Sequence, residues 1–306
     1  MHPLKILFMG TPEFAVPSLE ILVQNRINVV AVITAPDKPQ GRGQKVSYSP
    51  VKTCALKHNI PVLQPANLKS PEFLTELKKF NADLQVVVAF RMLPEAVWNM
   101  PPYGTFNLHA SLLPQYRGAA PINWAIINGE TETGVTTFFL RHDIDTGNII
   151  FQEKETIHDD DDAATLYERL MQKGADLVLK TVEAIQSGNY TTTQQPEGVE
   201  IKHAPKIFKE TCEINWDQTS EQVRNFIRGL SPYPGAWAIF GGKSFKIFKT
   251  SVVSSTAPPQ KPGEFLTDNK KYLYFKTRDG WISVDELQPE GKKRMMIQDF
   301  LRGNTL

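Results

Sequence analysis

The sequence predicts an α/β protein in which an open, mostly parallel sheet is followed by a smaller OB-like β-barrel domain. Three observations carry this expectation. Short apolar runs at Leu4–Met9, Val29–Ile33 and Leu84–Ala89 alternate with stretches of helical periodicity, the pattern of strands covered by helices on both faces. From Ala236 onward, short strand-like runs are separated by Gly241-Gly242 and Asp279-Gly280, dipeptides that close hairpins. The 306 residues are 41% hydrophobic and 22% charged, an ordinary globular composition with length enough for two domains.

Each element follows from its local chemistry. Gly10 ends the first strand, and Thr11-Pro12-Glu13 reads as a helix start, with Thr11 as N-cap and Pro12 at the first helical position. That helix turns Phe14, Leu19, Leu22 and Val23 towards a core and, with Val29–Ile33, completes a parallel βαβ unit. No GxGxxG accompanies it, so a dinucleotide site has little support. Residues 35–50 show neither helical nor strand pattern, and a loop that long inside an α/β unit is generally functional. It carries Lys38, Arg42 and Lys45 against Asp37, with glycines flanking Arg42. It reads either as a solvated loop or as a basic finger for a phosphate backbone.

Helices are then expected over Pro50–His58 and Pro71–Phe80, and strands over Pro61–Leu63, Leu84–Ala89 and Thr105–His109. A helix over Ala119–Gly129 precedes strands over Gly134–Leu140 and Ile149–Phe151. A long helix over Ala163–Ser187 is opened by the acids Asp159–Asp162, which suit a helix N-terminus. Periodicity fades over 189–206, the expected linker between a catalytic domain over 1–188 and a second domain over 207–306. The second domain begins with a helix over Thr219–Leu230, broken by Ser231-Pro-Tyr-Pro-Gly235, and continues as hairpins.

Charge and cysteine usage narrow the class. Residues 206–306 hold 16 Lys/Arg against 11 Asp/Glu, and the remainder holds 18 against 22. A basic C-terminal part is compatible with a polyanionic partner and also with chance surface variation. Cys54 and Cys212 stand far apart without a CxxC, which fits a reducing compartment and no disulfide. The six histidines form no HExxH and no zinc spacing, so no metal is expected. Without an apolar leader or spanning run, a cytoplasmic protein, and a monomer, is expected.

Chemistry concentrates on the strand Thr105–His109. Asn107 and His109 alternate with Phe106 and Leu108, so both polar side chains leave one face. The strand stops at the Ser111-Leu-Leu-Pro114 turn. Its carboxyl end, like Gly10 and Phe90-Arg91, lies at the edge where open parallel sheets bind ligands. A histidine at a strand end also serves as a packing residue, and aspartates in a turn such as Asp143-Ile-Asp145-Thr-Gly147 also serve as turn formers. Amide, imidazole and Asp145 together make a set suited to acyl transfer.

These residues carry a resemblance. Asn107-x-His109-x-Ser111-Leu-Leu-Pro114, then Arg117-Gly-Ala-Ala-Pro121 and Asp145-Thr-Gly147, resemble the folate-dependent formyltransferases. Phe8-Met-Gly-Thr-Pro-Glu-Phe-Ala-Val-Pro17 and Gly41-Arg-Gly43 are similar to the branch acting on methionyl-tRNA. Ala204-Pro-Lys206 and Ile214-Asn-Trp216 extend the match into the C-terminal part. Phe90-Arg91 and Gln115-Tyr116 stand where many members have Tyr-Gly and Arg-Trp.

The resemblance implies a Rossmann-like catalytic domain and an OB-like tRNA-binding domain. The co-substrate would be 10-formyltetrahydrofolate, and the acceptor the α-amine of initiator methionyl-tRNA. Asn107, His109 and Asp145 would be catalytic; Phe90, Arg91, Met92, Ser111, Leu112, Leu113 and Pro114 would bind folate; Lys38, Arg42 and Lys45 would bind tRNA. The alternatives are a folate-dependent N-formyltransferase acting on an amino-sugar nucleotide and a non-catalytic tRNA-binding protein.

Overall fold

The computed structural model describes residues 3–40, 45–196, 198–254 and 260–306, with backbone alone at 38–40 and 45–46. The chain forms two compact units, neither continuous in sequence. The first comprises Met1–Arg117, Gly134–Glu155 and Tyr167–Lys202; the second comprises Gly118–Thr133, Thr156–Leu166 and His203–Leu306.

In chain order the elements begin with β1 (Ile6–Gly10), α1 (Val16–Gln24) and β2 (Val29–Ile33), then β3 (Lys38–Gln40) and β4 (Lys45–Ser47). There follow α2 (Pro50–Lys57), β5 (Val62–Leu63), α3 (Pro71–Lys79), β6 (Leu84–Val88), α4 (Glu95–Trp98) and β7 (Thr105–His109). Then come β8 (Arg117–Gly118), α5 (Pro121–Ile127), β9 (Glu132–Phe139), β10 (Ile149–Thr156), α6 (Ala163–Ser187) and β11 (His203–Ala204). One sheet runs β10-β9-β7-β6-β1-β2-β5. From β5 to β7 its neighbours are parallel, and β9 is antiparallel to β7.

Every residue of β1 and β6 is buried, which is why their sequences are apolar runs rather than alternations. The polar exception, Gln85, accepts a hydrogen bond from Thr105 Oγ1 at 2.9 Å. The chain leaves β1 towards β2 and β5 on one side and returns to β6 and β7 on the other. The switch point therefore falls between β1 and β6, where Gly10 pairs with Val88. A Cβ on Gly10 would stand 2.7 Å from Ala15 Cβ and 3.0 Å from the Val88 carbonyl oxygen. Glycine lets the chain turn away immediately at that edge.

Two local expectations are corrected. The 35–50 segment contains a two-stranded ribbon, with Lys38 opposite Ser47 and Gln40 opposite Lys45. Its strands are three residues long and include Pro39, so no alternation marks them. Thr11 is not a helix cap. Glu13–Ala15 is a 3-10 turn entered from extended Pro12, and α1 starts afterwards with Pro17 in its first turn. Thr11 Oγ1 instead accepts from the Ala35 amide at 3.3 Å, tying the ends of β1 and β2 together.

The second unit completes itself with α7 (Ser220–Gly229), β12 (Ala236–Phe240), β13 (Lys243–Val253), β14 (Phe265–Thr267), β15 (Leu273–Lys276), β16 (Trp281–Pro289), β17 (Met295–Met296) and α8 (Ile297–Arg302). Its sheet runs β12-β13-β16-β15-β14, with β17 beside β16. Gly241 and Gly242 both have positive φ, 54° and 71°, as a tight hairpin between β12 and β13 requires. Register shifts near Lys249 bend β13. The curvature brings Phe240 on β12 within 6.0 Å of Phe265 on β14, from opposite ends of the strand order. Phe245, Phe275, Val223 and Ile227 fill the interior, giving the OB-like barrel that the hairpin signals predict.

Candidate active site

β7 delivers the site. Within it Phe106 and Leu108 are buried in the core while Asn107 is half-buried. His109, at the strand's last position, is only 6% exposed. Its Nε2 lies 2.8 Å from the Tyr116 carbonyl. A carbonyl oxygen only accepts, so Nε2 carries hydrogen and donates. The Nδ1 edge then faces Asp145, whose Oδ2 is 3.9 Å away.

Asp145 reaches this position because its backbone is unusual. Its φ is +56°, a left-handed conformation that Asp tolerates better than most residues. Two groups hold it there. Gln195 Nε2 donates to the carbonyls of Asp145 and Gly147 at 2.8 and 2.9 Å. Gln195 Oε1 accepts from Arg117 Nε and Nη2 at 3.2 and 2.5 Å. Gly147 lets the loop lie against β9: a Cβ there would come within 1.5 Å of the Phe139 carbonyl oxygen. Gln195 is 4% exposed and stands in the stretch read as linker, where it is one polar residue among several.

The Ser111–Pro114 turn is equally fixed. Ser111 Oγ donates to the Gln115 carbonyl at 2.7 Å, the part of a turn residue rather than a nucleophile. Thr136 Oγ1 donates to the Ser111 carbonyl at 2.6 Å and accepts from the Leu113 amide at 3.3 Å. Gln152 Nε2 donates to the Leu113 carbonyl at 2.9 Å. Gln115 and Tyr116 are held by the segment 200–202: the Tyr116 amide donates to the Lys202 carbonyl at 2.6 Å, and Gln115 exchanges two bonds with Glu200 and Lys202. Thr136, Gln152 and Gln195 are thus supports that motif reading did not find.

The remaining candidates divide. Phe90, Arg91 and Met92 follow β6 at the same carboxyl edge. The Arg91 guanidinium donates to the backbone carbonyls of Pro65 and Ala66, and Met92 is 73% exposed. Lys38 and Lys45 lie on the β3–β4 ribbon, apart in sequence from the β7 site; Arg42 lies outside the described residues. A cavity of about 600 Å³ borders the Asp143–Gly147 loop, lined by Trp98, Arg117, Leu140, Arg141, Thr146 and Gln195 among others. Among the described residues no helix is long and apolar enough to cross a membrane.

A carboxylate beside an imidazole whose tautomer a carbonyl fixes, next to an amide on the same strand face, can polarise an acyl oxygen and receive a proton. Acyl transfer is the class of chemistry that this arrangement suits. The formyl transferase family model matches residues 4–182, and that of the formyl transferase C-terminal domain matches residues 206–305. The chain belongs to the methionyl-tRNA formyltransferase family. It is 53% identical to the methionyl-tRNA formyltransferase of Bacteroides fragilis over 307 residues, covering 98% of this chain and 95% of the relative. It is 50% identical to that of Flavobacterium johnsoniae over 309 residues, covering 100% and 98%.

Solved structures share the fold at lower identity. HypX from Aquifex aeolicus in complex with tetrahydrofolic acid superposes with a TM-score of 0.64 at 20% identity, over 98% of this chain. This chain spans about half of HypX, 47%. An N-formyltransferase from Helicobacter canadensis, in complex with folinic acid and dTDP-3-aminofucose, gives 0.68 at 24% identity, covering 94% and 99%.

Proposed function

We propose that this enzyme transfers the formyl group of 10-formyltetrahydrofolate to the α-amine of initiator methionyl-tRNA. The observation that carries the reading is the constellation of Asn107, His109 and Asp145 at the carboxyl end of β7, in a chain about half identical to methionyl-tRNA formyltransferases over its full length. The folate would supply the activated formyl carbon. The residues present suit a flat heteroaromatic: apolar Phe90, Met92, Leu112 and Pro114 remain partly or largely exposed at strand ends, beside a turn whose own hydrogen bonds are satisfied internally.

Asn107 donates its amide N–H to the formyl oxygen as charge develops there. His109 adds a second donor from Nδ1 when that nitrogen is protonated, its Nε2–H being held by Tyr116. Asp145, on the Nδ1 side, receives the proton the amine must lose, through a water. Gln195 and Gly147 keep the carboxylate in place, which is the orientational share of the rate enhancement. The basic ribbon with Lys38, Lys45 and the Arg42 segment grips the acceptor end, and the barrel unit adds diffuse attraction for the tRNA, which single-strand and backbone contacts govern.

Incubation with 10-formyltetrahydrofolate and, separately, charged initiator tRNA, elongator tRNA and amino-sugar nucleotides tests the reading. Formylation of initiator methionyl-tRNA alone is expected; formylation of the sugar nucleotide instead, or tRNA binding without turnover, overturns it. Asn107→Ala and His109→Ala should each cost roughly 10²–10³ in kcat at saturating substrates. Near wild-type turnover in either removes it from the mechanism.

A further inference from the structure

Helix α2 carries Cys54, and His58, the residue that caps its C-terminus, follows four positions later, about one turn away. Helix α1 packs against α2 and contributes Glu20. A carboxylate oxygen of Glu20, Sγ of Cys54 and a ring nitrogen of His58 all lie within 4.8 Å of one another. Cys54 is buried and the other two are half-buried. Nε2 of His58 is shut off from solvent without a hydrogen-bond partner, a state that buried polar atoms in native proteins rarely keep.

We propose that Glu20, Cys54 and His58 form a three-ligand site for a soft divalent cation of the zinc type, with a water in the fourth position. Thiolate, imidazole and carboxylate are the donors zinc takes, and in a tetrahedral shell they stand about 3.3–3.8 Å apart. Closing from the present spacing falls mainly to Glu20. Glu20 pairs with Lys57 Nζ at 3.4 Å, on a side chain 69% exposed, and such surface pairs exchange readily. Burial, with the Glu20 charge adding and Lys57 opposing, raises the Cys54 thiol to about 11. Without metal it is therefore a protonated, unreactive group. On binding, the metal–sulfur bond forms as the S–H bond breaks, and the proton leaves to solvent.

The linear spacing gives no signal, because the third ligand comes from another helix. The consequence would be a cross-link between α1 and α2, the helix that begins three residues after the basic ribbon ends.

Titration of the full chain with Co²⁺ should give a thiolate-to-cobalt charge-transfer band saturating at one equivalent and displaced by Zn²⁺. C54S should abolish the band. H58Q and E20Q should weaken Zn²⁺ binding by more than about tenfold, the scale that even outer partners of a metal set, while formyl transfer in metal-free buffer is unchanged. Absence of the band, its persistence in C54S, or equal Zn²⁺ affinity in wild type, H58Q and E20Q overturns the site. Should C54S fail to fold, the H58Q and E20Q titrations decide it.

Discussion

Gln195 grips the Asp145 and Gly147 carbonyls with one end of its amide and Arg117 with the other. It touches no reacting atom in the proposed mechanism, so it is a positioning residue. Gln195→Leu keeps the volume and removes four hydrogen bonds; kcat should fall by ~10-fold or more, because small misplacements near the chemistry are costly. KM for the folate should change much less, and a loss of stability with kcat intact would reduce Gln195 to a structural part. Gly147→Ala meets a backbone oxygen at 1.5 Å, which no side-chain rotation relieves. It should destabilise by about 3 kcal/mol or more in urea unfolding. At this scale the sequence was legible where polarity broke a pattern: Asn107 and His109 interrupt an apolar strand at its carboxyl end. Gln195 sits among other polar residues in 189–196, so its burial and its fourfold bonding arise only from the fold.

Elements were legible in proportion to their length and periodicity. β2, β7 and α6 occupy the expected residues because each shows a regular pattern: an apolar run, a strand alternation and a long helical period. The β3–β4 ribbon, β14 and β17 are too short to show alternation, and α8 offers only two turns. The Ser220 helix, α7, was located, but its start was sharper than expected. Thr219 and Gln222 form a capping box, and the Ser220 amide and hydroxyl both donate to Asp279 at the β15–β16 turn. Thr219→Ala should cost ~1 kcal/mol in thermal or urea unfolding.

The Ser220 amide is the first of several donors holding the Asp279 carboxyl below the usual carboxylate range. The folded state therefore binds that proton less readily than the unfolded one. Its contribution to stability is complete above the unfolded value of about 3.9 and is lost as pH falls through the lower folded value. Asp279→Asn should flatten the acid limb of the stability–pH curve, and an unchanged limb would place the acid sensitivity elsewhere.

For the whole molecule, the parallel sheet, the carboxyl edge that holds the candidate site and the barrel were readable because strand runs and hairpin dipeptides are local signals. The grouping of pieces was not, since packing between distant segments leaves no local mark. Chain order runs from an N-terminal to a C-terminal match, yet residues 118–133 and 156–166 pack with the C-terminal part. In that unit Asn123 donates to the Gly229 carbonyl at 2.8 Å, and Trp124 donates to the Pro205 carbonyl at 2.8 Å. The tRNA complex should weaken steeply with salt, with a log–log slope set by the phosphates neutralised. A salt-insensitive affinity would exclude the basic ribbon and barrel as the gripping surface.

The packing of α5 against α7 also sets a schedule for synthesis. Ile127 ends α5 about 90 residues before Ser220 opens its partner helix, so at ordinary elongation rates α5 leaves the ribosome on the order of 5–20 s before its docking surface exists. During that interval its apolar face has only transient partners, and nascent chains stalled before Ser220 should be the ones that chaperones hold.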